Sequence, residues 1–170
     1  MSENSTEYDA RRKRFNRTNI SMHDFEHATK FLDAAANHRS DSPEYEALLM
    51  AAIVLYARPF GPNEKNPSSM ATPRLHLDPA AILGDFHKLH VQIVDRRNKA
   101  VAHAEWDLYP TSQIPVAPNA SGFATTSKRW HPVNEGIDPS ELRGIAELMK
   151  KACLDSLFQD RETTVGLPLV

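Results

Sequence analysis

The chain has 170 residues, 41% hydrophobic and 25% charged, the proportions of one globular domain rather than of a disordered or membrane-embedded protein. Its net charge of −2 excludes a surface coated in positive charge and leaves room only for a local basic patch. The lone Cys153 excludes an intrachain disulfide and points to a reducing compartment, the cytoplasm.

In chain order, residues 1–19 read as a disordered basic arm. Apolar groups are few, and Arg11-Arg12-Lys13-Arg14-Phe15-Asn16-Arg17 packs five positive charges into seven positions, suited to a phosphate backbone or, alternatively, to a solvated tail or a surface-packed helix end. The first nine residues are polar and acidic and do not resemble a secretory signal. A first helix is predicted from Met22 to about Asn37, capped by Ser21, with Phe25, Ala28, Leu32 and Ala35 on one face. Three later helices start alike, at Ser42-Pro43, Asp78-Pro79 and Asp138-Pro139. Each places a capping oxygen before a proline suited to the first helical position. At the third, Glu141 has the spacing of a capping box.

The second helix, Pro43 to about Arg58, is apolar nearly all round and should lie centrally, ending at Pro59 and Gly61. Its apolar run from Ala47 to Ala57 is about half the length that crosses a bilayer, so no membrane is expected. Residues 60–77, rich in Pro, Asn and Ser, read as a long surface connection. The third helix, Pro79 to about Ala102, carries Ile82, Phe86, Leu89, Ile93 and Ala100 on one stripe, with Leu83 and Val94 beside it. Between 106 and 133 the helical period disappears, and prolines with a turn at Ala120–Ala124 read as loop with room for a small β-hairpin. The fourth helix, Pro139 to about Phe158, buries Leu142, Ile145, Met149 and Ala152, and residues 161–170 form a C-terminal tail. The expected fold is therefore an all-α bundle of four to five helices over residues 20–160.

One side chain stands out on the third helix. On a straight helix Arg97 points about 20° from Phe86 and about 40° from Ile93, directions that otherwise face the core. A buried charge must be paired or reach a wet cleft. His103 lies roughly 120° around the same straight helix, on the side of Arg96 and Lys99, which would make a solvated stripe. If the helix ends near Ala102, His103 can instead turn back toward Arg97 and set a cation beside a group that titrates near neutrality.

The segment Arg97-Asn98-Lys99-Ala100-Val101-Ala102-His103 resembles the Arg, polar residue, short spacer, His motif of HEPN domains. The nearest form is the Arg-(Asn/Asp)-Lys-x-x-Ala-His of abortive-infection-type members. The resemblance covers Ile82 to Trp106. It implies a helical bundle, commonly a homodimer, that cleaves RNA without a metal or other cofactor in bacterial defence or a toxin–antitoxin setting, with an antitoxin protein as a further partner. By the same resemblance Arg97 binds phosphate and stabilises charge, Asn98 positions, and His103 transfers protons. Self-cleavage of RNA through its 2′-OH needs a proton-transfer group near neutrality and a cation where charge builds on the phosphorane.

Supporting roles fall to Arg96, His90, Lys99 and Glu105. His90 lies about 20° from Arg97 in projection and could line the same cleft or be a satisfied core histidine. Glu105 could accept the second ring N–H of His103. The alternative reading is a non-catalytic interaction domain in which Arg97 makes a structural ion pair with a neighbouring helix. No Gly-rich phosphate loop, paired-cysteine motif, His-Glu-x-x-His helix or Gly-x-Ser-x-Gly elbow is present.

Overall fold

The structure, a computed structural model, describes residues 3–61, 70–102, 111–115, 123–127, 132 and 136–164. The fold is all-α, a small bundle built on one long helix. The elements are α1 (Glu3–Ala35), α2 (Pro43–Ala57), α3 (Pro79–Leu83), α4 (His87–Arg96), β1 (Thr111–Pro115), β2 (Phe123–Ser127) and α5 (Pro139–Thr164). Helices α5 and α2 both pack on α1, while α3 leans on α5 and α4 on α2.

The three proline-led starts form as expected. Ser42 Oγ accepts the Tyr45 N–H at 3.2 Å, and Asp78 Oδ1 accepts that of Ala80 at 3.0 Å. Asp138 Oδ1 takes the Ser140 N–H and its hydroxyl, each at 2.7 Å, and these bonds hold the carboxyl below its ordinary pKa. These contacts satisfy N–H groups that have no partner within the first helical turn.

The first helix departs from expectation. Residues 3–19 are helical rather than a disordered arm, and Ser21 is a buried residue in the middle of α1, not its cap. Tertiary contacts explain the extension. Asn16 Nδ2 donates to the Met70 carbonyl at 2.6 Å, Arg17 Nε donates to the Thr72 carbonyl at 2.7 Å, and the Thr72 N–H donates to the Lys13 carbonyl. Pairs Glu7–Arg11 and Asp9–Arg12 then lie at helical spacing. A segment from the 60–77 connection thus anchors a stretch too poor in apolar groups to read as packed. At the far end, α5 continues to Thr164, past the expected stop near Phe158 and into the expected tail.

The third predicted helix is also different. Gly84 adopts φ 54°, ψ −120°, and breaks the rod into α3 and α4 with a 3₁₀ turn, Gly84–Phe86, between them. The break changes the phase of the stripe. Phe86, expected in the core, is 46% exposed, and Leu83 is buried in its place.

The core is otherwise the expected set. Phe25, Ala28, Leu32 and Ala35 of α1 meet Leu49, Ile53 and Tyr56 of α2, Ile93 of α4, and Leu142, Ile145 and Met149 of α5. Ala146 and Cys153 complete the α5 face, with Ala152 only half-buried. Each large side chain fully removed from water contributes about 1.5–3 kcal/mol, so this cluster holds the bundle. Between 106 and 133, β1 and β2 pair antiparallel, with Thr111 opposite Ser127 and Pro115 opposite Phe123. Phe123 and Ala124, expected in a turn, belong to β2. Among the described residues no helix is long and apolar enough to cross a membrane.

Candidate functional site at the end of α4

Helix α4 positions Arg97 by ordinary amphipathic packing. Ile93 is fully buried one turn earlier, and the Arg97 N–H is shared between the carbonyls of Ile93 and Val94. Beyond that shared bond the chain widens into a π-helical turn over Arg97–Ala102. Such turns insert an extra residue per turn and are frequent at functional sites. A projection of His103 at 100° per residue therefore does not hold past Arg97. His103 and Glu105, like Trp106, lie outside the described residues.

Arg97 is half-buried, and its Nη1 donates to Asn98 Oδ1 at 2.9 Å. The same nitrogen lies against Gly61, at the end of the turn that follows α2. A Cβ placed on Gly61 would stand 3.7 Å from Arg97 Nη1 and 3.7 Å from the Arg58 carbonyl. The guanidinium thus reaches from the π turn to the α2 terminus. Among the described residues it has no carboxylate partner. The partner seen for its Nη1 is the Asn98 side-chain oxygen.

The supporting residues separate. Lys99 pairs with Asp95 at 3.0 Å on a partly exposed surface, and Arg96 is half-buried. His90 turns inward, 7% exposed, with Nδ1 at 2.9 Å from the Tyr56 hydroxyl and its ring edge-on to Phe60 at 4.5 Å. Burial, and secondarily the stacked His87, lower its pKa to about 4. His90 is a neutral core histidine at physiological pH. Burial likewise pushes the Tyr56 phenol above its ordinary value.

Among the described residues, an ion pair on a buried carboxylate involves other residues. Asp24 of α1, 1% exposed, accepts from Arg58 Nε at 2.9 Å through one oxygen and from Arg58 Nη2 through the other. That pairing raises the Arg58 pKa. Arg17, two turns before Asp24 on the same side of α1, is 8% exposed, and burial lowers its pKa against the opposing attraction of Asp24. Sequence reasoning passed over this group although its signal was present. Asp24 stands four residues before Ala28 on the α1 stripe, a charge in an apolar position as Arg97 is on α4.

Arg58 and Arg97 flank one short turn, Arg58–Gly61, and Arg17 sits behind it; Asp24 is the carboxylate seen among them. Compared with known proteins, the chain matches no family model, no curated protein and no solved structure.

Proposed function

We propose that the chain is a HEPN-like, metal-independent endoribonuclease, with Arg97 as phosphate binder and His103 as general acid and base. The observation that carries the reading is the half-buried Arg97 guanidinium at the start of a π-helical turn, held by Asn98 and lying against Gly61 without a carboxylate partner among the described residues. A cation so placed is available for a phosphate oxygen. An arginine with a purely structural role would more usually be spent on an acid.

In the proposed reaction the imidazole of His103 takes the proton of a ribose 2′-OH as that oxygen attacks the adjacent phosphorus. Arg97 offsets the charge that builds on the non-bridging oxygens. The P–O5′ bond then breaks and the leaving 5′-oxygen takes a proton from a His103 imidazolium, giving a 2′,3′-cyclic phosphate and a 5′-hydroxyl. A homodimer would bring two copies of the motif to one cleft. The lone buried Cys153 fits a cytoplasmic setting, and bacterial defence or a toxin with a protein antitoxin is the corresponding role.

The test is cleavage of single-stranded RNA with EDTA present, followed by end-group analysis. Wild type should yield cyclic phosphate ends. His103→Ala should lose activity by 100-fold or more, on the order of a general acid–base contribution, while keeping its helical content. An unchanged rate in His103→Ala would remove His103 from the mechanism, and a wild type that cleaves no RNA would leave a non-catalytic helical interaction domain.

A further inference from the structure

The buried Asp24–Arg58 pair has a form that core packing alone does not require. Asp24 is enclosed, yet the side chain of Arg58 keeps 47% of its exposure. Both oxygens of the acid are met by Nε and Nη2, one edge of the guanidinium. The group is therefore locked in plane and direction by an acid that cannot move, with its Nη1 side turned away from that acid. Pre-organised guanidinium forks suit phosphate oxygens, because little side-chain freedom remains to be lost on binding.

The position of this fork is informative. The turn Arg58–Gly61 begins with it and ends on the glycine that meets Arg97 Nη1. The turn is short, a three-residue 3₁₀ helix, Arg58–Phe60, closed by Gly61, so both arginines lie within the span of a few nucleotides. Arg17 is also near Asp24 and Arg58, so among these described residues the cations outnumber the acid.

We infer that Arg58 is a second phosphate-binding residue, contacting a backbone phosphate of single-stranded RNA neighbouring the one held by Arg97. The inference rests on the nuclease reading above for the class of ligand. It adds an affinity contact at a residue outside the motif, and Arg58 takes no part in bond making or breaking.

The experiment measures binding of a short, fluorescently labelled oligoribonucleotide with 2′-O-methyl riboses, which cannot be cleaved through the 2′-OH. Anisotropy is followed between about 50 and 200 mM salt, where each lost phosphate contact on a single strand lowers the log–log slope by about 0.7. Arg58→Gln combined with Asp24→Asn removes the contact without stranding a buried carboxylate, and should lower the slope by that one contact. Arg58→Lys keeps the charge beside Asp24 and safeguards the test if the double variant fails to fold. Losing the fork, it should bind about tenfold more weakly. Wild-type slope in the folded double variant, or wild-type affinity in Arg58→Lys, would overturn the inference and leave the nuclease reading intact. A wild-type protein that binds no RNA removes both. One that binds but does not cleave unmodified RNA removes the nuclease alone, and the slope still decides Arg58.

Discussion

Replacing Asp24 by Asn should destabilise the bundle far more than any change at Arg97. Asp24 is 1% exposed and both its oxygens are bonded to Arg58, while Arg17, itself 8% exposed, lies near enough to feel its charge. Breaking a buried pair by removing one partner typically costs about 3–5 kcal/mol, because the remaining charge stays desolvated. Arg58 is half-exposed and can turn toward water, and Arg17 keeps its bond to the Thr72 carbonyl. The lower end, about 3 kcal/mol, is therefore expected. Urea unfolding followed by circular dichroism reads this as a fall in the midpoint of about 1–3 M, given slopes of about 1–3 kcal/mol/M. Arg97→Gln should move the midpoint by less than about 0.5 M, since the structure commits that guanidinium to Asn98 and no acid among the described residues. A reversed order, with Arg97→Gln the costlier change, would refute the assignment of the structural pair and favour a scaffold role for Arg97.

Four further outcomes follow from the geometry. The depressed pKa of His90 means the unfolded chain binds the extra proton between pH 6.5 and about 4. Stability is thus fully present above pH 6.5 and is lost on acidification through that window, by at most about 3 kcal/mol; Tyr56→Phe, which strands Nδ1, should lower stability at pH 7 by about 1–3 kcal/mol, and unfolding curves from pH 4 to 7.5 check both. Gly84→Ala should cost about 1 kcal/mol or more through backbone strain alone, since φ is 54° and nothing lies within 4 Å of the new methyl; thermal melts measure it. Cys153 is buried, and burial first, then Asp24, push its thiol up to about 12, so a thiol reagent should modify it only as fast as the protein opens, with the rate rising in urea.

Local chemistry by itself determined the helix starts and the core faces. A capping oxygen before proline at 42, 78 and 138 satisfies backbone donors wherever the helix sits, and the stripe from Phe25 to Ala35 can be buried on one side only. Arg97 was legible as a charge in an apolar position for the same reason. Tertiary structure decided the rest. The helical state of residues 3–19 depends on carbonyls at Met70 and Thr72, more than fifty positions away in the chain, and no local pattern carries that information. The break at Gly84 shifted the phase of the third stripe, so Phe86 left the core while Ile93 kept its place. Which arginine would meet Asp24 depended on how the helices converge, and the end of α2 brought Arg58 to it. Hydrogen-bond caps and periodicity act over one or two turns, whereas pairing of charges is settled by the packing that brings distant turns together.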